Sequence, residues 1–387
     1  MKSLAPIAGE RIWAEIDINC LRENIRLIKK ITKGKKILLA VKADAYGHGA
    51  KEIAPYLEGE VDCFGVASVE EGIALRENGT NRTDVLILSP VPYPEIPYLL
   101  EYNLIPTVTE ENFLPLLTRV AKKRNKIVPV YLEIDTGMGR TGILPETAKK
   151  IIPEILRNPY MKLVGIFSHF PAADCDFSFT KEQITQFKDF IKKLPKGKYL
   201  LSLANSAGLI NFPVSHLQMV RPGLLAYGII PEIIAGKEKL SPILSKVKPV
   251  LALYSRVVNL RHLPKGASIS YGRRFILPKA SLIAVISAGY GDGIPYSLTN
   301  RGEVLIKGKR VKMVGAVCMD LFMIDVSEVE GVKIGDRVTI IGENGEERIK
   351  VTDVAFWANT IPYEITCRIS PRVRRVFKEG EKILKVR

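Results

Sequence analysis

Histidine and tryptophan are scarce in this chain, with four and two residues among 387. The five cysteines (Cys20, Cys63, Cys175, Cys318 and Cys367) lie far apart and form no CxxC pair, which argues against both a disulfide framework and a zinc site. With few histidines and no carboxylate cluster beside them, a metal centre is poorly supported. No run of eighteen apolar residues occurs, and the N-terminus lacks the charged, apolar and cleavage-site order of a secretory signal. These absences predict a soluble cytoplasmic protein with no membrane role. The net charge of +16 is large. The basic residues are nevertheless spread as pairs and triplets, such as Lys122-Lys123-Arg124 and Lys192-Lys193, where solvent-facing helices are expected. No recognisable nucleic-acid motif accompanies them, so attraction of small anionic ligands is the expected consequence of the charge.

Apolar residues make up 47% of the chain, enough for a large core, and the length points to two domains. Short apolar runs begin near Ile37, Val61, Val85, Leu104, Val128, Leu163, Leu200 and Leu217, most followed by a helical pattern. Eight β-then-α units predict a closed (β/α)8 barrel, an α/β architecture with a parallel sheet. An alternating stretch, Trp13 to Ile18, precedes them and leads into a helix with Leu21, Ile25 and Ile28 on one face, for which Asn19 is a candidate N-cap. After about residue 240 helical periodicity fades. Alternating stretches take over at Leu251–Leu260, Leu282–Ser287, Glu303–Ile306, Val311–Val317, Met323–Val326 and Arg337–Ile341, with Asn344-Gly345 as a hairpin signal. The expected division is a barrel over 1–244 and a mainly β domain over 245–387, joined through Ser241 to Pro249.

The residues at the strand ends carry the chemistry. VKADAYGHG (41–49) places Lys42 at the end of a buried strand, and Tyr46 follows one turn later. A lysine there can lose its proton through desolvation or a nearby cation and form imines with aldehydes; the bland alternative is a lysine snorkelling into water. DTGMGRTG (135–142) brings Arg140 after the fifth strand, SHF brings His169 after the sixth, ANSAG brings Ser206 after the seventh and RPG brings Arg221 and Gly223 after the eighth. The carboxyl ends of barrel strands share one rim, so these groups should converge. Taken singly, His169 is as well explained as a satisfied core histidine. Small residues and backbone N–H groups around Ser206, Gly223 and Leu224 suit a phosphate, and the forked donors of Arg140 and Arg221 suit a carboxylate, a phenolate or a ring nitrogen. An imine-forming lysine beside a phosphate cradle describes a pyridoxal phosphate site. The second domain adds SYG at 270–272, GYGDG at 289–293, CMD at 318–320 and PYE at 362–364. Tyr254 reads as a packing residue, whereas Tyr271 between Ser270 and Gly272 reads as an exposed phenol.

As a set, in order and along essentially the whole length, these motifs resemble the alanine racemase family of pyridoxal-phosphate enzymes. The resemblance implies that Lys42 holds the cofactor covalently and acts on one face of the substrate α-carbon. It implies that Tyr271 reaches in from a partner subunit and acts on the other. It further implies that Tyr46, Ser206, Tyr363 and the backbone at Gly223 and Leu224 hold the phosphate, and that Arg221 donates to the pyridine nitrogen. His169 then lies within reach of Arg221 and Tyr271. Arg140 and the partner's Met319 backbone meet the substrate carboxylate, with Asp320 close by and Tyr290 narrowing the entrance. An obligate homodimer acting on L- and D-alanine, in the supply of D-alanine for cell-wall peptidoglycan, follows from the same likeness. Two bases on opposite faces suit racemisation, each contributing about 10²–10⁴-fold in rate.

Four positions depart from the family pattern. Glu133 stands where many members carry a carbamylatable lysine, and is expected to supply the negative charge that orients Arg140. Gly291 replaces a common alanine, which should matter little. Leu321 replaces a frequent glutamine, and Arg274 a usual threonine. The rival readings are a serine, lysine or broad-specificity racemase, a non-catalytic pyridoxal-phosphate carrier resembling the barrel half alone, and a decarboxylase of the same fold.

Overall fold

The computed structural model describes residues 9–195, 197, 199–231, 242 and 244–387; Ser241 and Ile243, within the expected linker, lie outside them. The first strand, β1 (Ile12–Asp17), is followed by β2 (Lys36–Ala40), β3 (Cys63–Val66), β4 (Asp84–Ile87), β5 (Thr107–Val108), β6 (Val128–Glu133), β7 (Met161–Phe167), β8 (Leu200–Ser202) and β9 (Met219–Val220). Strands β2 to β9 form an eight-stranded parallel sheet in the order β4-β3-β2-β9-β8-β7-β6-β5. It closes where Ile87 N–H donates to Ile105 O and Ile105 N–H to Val85 O, both at 2.8 Å. All eight runs expected as barrel strands are strands of this barrel.

Leu38, Cys63, Leu86, Ile105, Tyr131, Phe167 and Met219 come from different staves and form one buried cluster. Side chains from so many staves can meet only along the barrel axis, so the interior is packed rather than open. Gly165 makes room for one of them: a Cβ there would stand 2.0 Å from the Tyr131 ring. The outer helices follow their apolar spacing. In Pro145–Arg157, for instance, Ala148, Ile151, Ile152 and Ile155 are the buried face, with Pro145 in the first turn where its missing N–H costs nothing.

The chain divides into two compact units, one comprising Arg22–Ala45 and Ala50–Val247, the other Lys248–Arg387 with Tyr46–Gly49 and the residues up to Leu21. This differs from a single cut near residue 244. Strand β1 pairs antiparallel with Leu251–Leu263 and parallel with Arg374–Glu379, so it belongs to the β unit. Its partners lie more than 200 residues away, and no local pattern reveals such pairing. The cap of the helix Ile18–Ile31 also differs from expectation, because Asp17 Oδ1, not Asn19, accepts the Cys20 N–H at 3.1 Å.

The β unit is organised on the thirteen-residue strand Leu251–Leu263. Its first half pairs with β1 and with Arg337–Asn344; its second half pairs with Ser281–Ile286, which in turn takes Phe322–Asp325. Asn344-Gly345 turns the hairpin Arg337–Asn344/Glu347–Ile349 as the sequence indicates. Tyr254 packs its ring 5.5 Å from Trp13. The helices Val351–Ala358 and Pro362–Cys367 and the closing hairpin Arg374–Glu379/Lys382–Val386 complete the unit.

Candidate active site

On the barrel, β2 delivers Lys42 into an unusual turn. Ala43, Asp44, Ala45 and Tyr46 all have φ between 52° and 55°, a left-handed turn built without glycine. Each L-residue in that conformation costs roughly 1–2 kcal/mol, so local bonds must hold it. Ala45 N–H donates to Val41 O at 2.7 Å, and Ala50 N–H to Asp44 Oδ1 at 2.8 Å. Gly47 and Gly49, which take positive φ readily, come only after the strained residues.

Arg221, after β9, is buried and held through both terminal nitrogens. It donates to Ser202 Oγ at 2.6 Å, to Ser168 O at 2.5 Å and to Leu203 O at 3.3 Å, with Phe167 stacked 4.8 Å from the guanidinium carbon. Burial pulls its pKa down to about 10, against the pull of Glu133 and Tyr131, so it stays charged at neutral pH. Its Nη2 also lies 3.3 Å from His169 Nδ1. Burial first, then the charges of Arg221, Arg140 and Lys42, lower His169 to about 3. His169 follows β7, Arg221 follows β9 and Lys42 follows β2, so these groups leave the carboxyl ends of strands in one barrel.

Asn205 caps the short helix Ser206–Asn211 by accepting from Gly208 N–H at 2.9 Å. Ser206 Oγ accepts from Gly223 N–H at 3.0 Å and Leu225 N–H at 3.3 Å. A hydroxyl that accepts twice has its one proton left to donate, which suits an anion. Gly223 thus serves Ser206 through its N–H. After β6, the Asp135 carboxylate gathers the N–H groups of Gly137, Met138 and Gly139 at 2.8–3.2 Å and shapes the loop that exposes Arg140. Glu133 is buried, accepts from Thr141 Oγ1 at 2.9 Å and has its pKa raised by burial, offset by that bond and by Arg140 and Arg221.

The β unit holds the remaining residues. Tyr46 is buried with its ring 5.7 Å from that of Tyr363; burial, then Tyr363 and Cys367, raise its pKa. Tyr271 is 76% exposed. It is displayed by Ser270, whose φ of 62° and ψ of −172° are ordinarily glycine's. Asn259, Arg261, Tyr271, Cys318, Leu321 and Met323 are among the residues lining a groove of about 490 Å³. Tyr290 N–H donates to Cys318 O and Gly291 N–H to Met319 O, both at 2.9 Å, so the GYGDG and CMD segments are laced together. Buried Asp292 pairs with Arg11 and, at 3.0 Å, with Arg372 Nε, while Arg372 Nη2 holds Asp320 at 2.5 Å. Gly291 is less indifferent than expected, since a Cβ there would lie 2.9 Å from Arg372 Nη1 and 3.1 Å from Met319 O. Arg274 lies over the Tyr296 ring at 5.6 Å. The anchors Asp292 and Arg372 were not singled out from the sequence; GYGDG marked the first only as part of a motif.

A barrel with a lysine, two arginines and a histidine at its strand ends, followed by a β unit that displays a phenol, has the architecture of a barrel enzyme whose strand-end cations suit an anionic ligand. Residues 16–231 match the family "Alanine racemase, N-terminal domain" and residues 250–377 "Alanine racemase, C-terminal domain". The alanine racemase of Halothermothrix orenii is 40% identical over 95% of this chain and 96% of its own. Among solved structures, the alanine racemase of Clostridium difficile 630 is similar with a TM-score of 0.90 at 33% identity over 98% of both chains. That of Bartonella henselae, with covalently bound pyridoxal phosphate, has a TM-score of 0.86 at 27% identity over 96% of this chain and 100% of its own. The chain belongs to the alanine racemase family and is an isomerase. The family implies pyridoxal phosphate as cofactor.

Proposed function

We propose that this protein interconverts L-alanine and D-alanine with pyridoxal 5′-phosphate, using Lys42 and Tyr271 as its two bases. The reading rests above all on Lys42, which follows β2 at the carboxyl end of the barrel sheet, the end that β6, β7 and β9 also share before Arg140, His169 and Arg221. The donor set fits the cofactor: Ser206 has a proton to donate to a phosphate, and Arg221 presents a permanent cation. When bound, the cofactor supplies an electron sink that makes the α-hydrogen of an amino acid acidic.

Lys42 would hold the cofactor through Nζ until substrate binds and, once its amine is free, would take or return the α-proton on one face. Tyr271 does so through Oη on the other. Tyr46, Ser206, Tyr363 and the backbone at Leu224 would hold the phosphate, with Gly223 contributing through its N–H to Ser206. Arg221, braced by Ser168, Ser202 and Leu203, would donate to the pyridine nitrogen and keep its own proton. Neutral His169 accepts from Arg221 and leaves its other ring nitrogen as a donor. Arg140 takes the substrate carboxylate with the Met319 backbone, near Asp320, and Glu133 orients Arg140 with its negative charge. Tyr290 narrows the approach.

The protein works as a homodimer in which Tyr271 and Met319 of each copy serve the other. In support, Tyr271 and Met319 are 76% and 53% exposed, and Tyr271 borders the groove described above. The setting is the cytoplasm, and the product serves cell-wall peptidoglycan.

The test is proton NMR of L- and D-alanine in heavy water, with serine and lysine in parallel and Lys42→Ala and Tyr271→Phe as controls. Deuterium entering the α-position with inversion supports two-base racemisation and ranks the substrates. Absence of exchange in cofactor-loaded protein overturns it, and exchange without inversion removes one base.

A further inference from the structure

The bonds described above hold Asp44 and Ala45 of the left-handed turn, whereas the Ala43 N–H is taken from outside the turn, by Glu71. Glu71 lies in the first turn of the helix Val69–Glu77, whose N-cap Ser68 accepts from Glu71 N–H at 3.2 Å. In the usual capping box a glutamate at this place folds back onto the N-cap N–H. Here its two oxygens separate. Oε2 accepts from Ala67 N–H, just past the end of β3, and Oε1 accepts from Ala43 N–H, just past Lys42; both bonds are 2.7 Å. One carboxylate therefore ties together the carboxyl ends of two adjacent barrel strands, and short charge-assisted bonds of this kind are the strong ones. Ala43 is the first of the residues forced to positive φ, at 52°. Its N–H also belongs to the peptide unit that sets the direction of Lys42's backbone as it leaves the strand.

We propose that Glu71 is a positioning residue, holding the left-handed turn at Ala43 so that Lys42 presents its amine in the geometry needed for imine formation. This rests on Lys42 being the cofactor-bearing residue. Glu71 touches neither substrate nor cofactor in this role and acts only through the backbone. A glutamine cannot replace it fully, because its NH₂ group would face one of the two N–H donors. A glycine at position 43 should reduce the demand for Glu71, since glycine takes positive φ readily.

The experiment compares wild type, Glu71→Gln, Glu71→Ala and the double variant Glu71→Gln/Ala43→Gly. The readouts are hydrogen exchange at the Ala43 amide without cofactor, half-saturation for pyridoxal 5′-phosphate followed by borohydride trapping on Lys42, and kcat and KM for alanine. For Glu71→Gln the expected result is faster exchange at Ala43, cofactor half-saturation about 10-fold weaker, and a fall in kcat with KM nearly unchanged, the scale of one charge-assisted hydrogen bond. Glu71→Ala should go further, and the double variant should recover most of the cofactor affinity. Unchanged exchange at Ala43 and unchanged half-saturation in both single variants overturn the proposal. So does loss of cofactor affinity that tracks a general fall in melting temperature and is not rescued by Ala43→Gly, because that marks a merely structural role. If wild type leaves no reduced adduct on Lys42, the cofactor assignment fails and the proposal falls with it; the exchange measurement still reports separately whether Glu71 holds the turn.

Discussion

His169 Nδ1 lies 3.3 Å from Nη2 of Arg221, so a neutral imidazole accepts from a buried guanidinium at the centre of the barrel rim. A protonated histidine has no lone pair to offer there and would repel the arginine. The arrangement fixes which ring nitrogen carries hydrogen, and it makes the site sensitive to acid.

The folded-state pKa of His169, about 3, lies below its ordinary value of 6.5. The unfolded chain therefore binds more protons between those values, and stability falls as pH drops from 6.5 toward 3. By pH 5 the loss from this group is about 2 kcal/mol. Urea unfolding at pH 7 and pH 5 should show wild type losing that much more than His169→Gln.

Gly47 has φ of 81°, and a Cβ there would stand 2.0 Å from Thr366 O. Its own carbonyl accepts from buried Arg375 Nε at 3.0 Å. Gly47→Ala meets both a backbone penalty and a clash with main chain, and should cost about 3 kcal/mol or more. Chemical denaturation of the variant measures it.

Ser270 holds its strained conformation with a 2.7 Å bond from Oγ to Ala316 O. Ser270→Ala keeps the strain and loses the bond, so it should destabilise by about 1 kcal/mol. Ser270→Gly loses the bond but sheds strain worth about 1–3 kcal/mol, and should be neutral or stabilising. The opposite signs in thermal melts separate strain from hydrogen bonding at the turn that displays Tyr271.

Asp292 has its side chain fully buried between Arg11 and Arg372 and accepts from Gly289 N–H at 2.9 Å. Asp292→Asn would turn amide donors toward cationic donors. We expect a melting temperature lower by about 5 °C or more. Because Arg372 also holds Asp320 at 2.5 Å, KM for alanine should rise in Arg372→Ala even at temperatures where that variant is fully folded.

Much of this was legible from the chain alone. Barrel strands buried on both faces are written as continuous apolar runs, and Lys42, His169, Ser206 and Arg221 follow such runs within a few residues, with Arg140 on the glycine-rich loop after β6. Their convergence needed only the rule that barrel strand ends share a rim. Tyr271 was recognisable as an exposed phenol because serine and glycine flank it. The anchors were not legible in this way. Glu71 sits in an ordinary S-x-x-E capping pattern, and nothing local shows that its carboxylate serves Ala43 across a neighbouring strand. The left-handed turn was hidden as well, since Ala43, Asp44, Ala45 and Tyr46 include no residue that prefers it.

Local periodicity and the chemistry of strand-end residues are properties of short stretches, and so the sequence by itself determined the eight staves, the β-rich remainder and which candidate groups stand at the strand ends. The placement of β1 between Leu251–Leu263 and Arg374–Glu379, the pairing of Asp292 with Arg11 and Arg372, and the grip of Glu71 on Ala43 were decided only by the tertiary structure. Each joins groups far apart in the chain through geometry that exists only once the chain has folded.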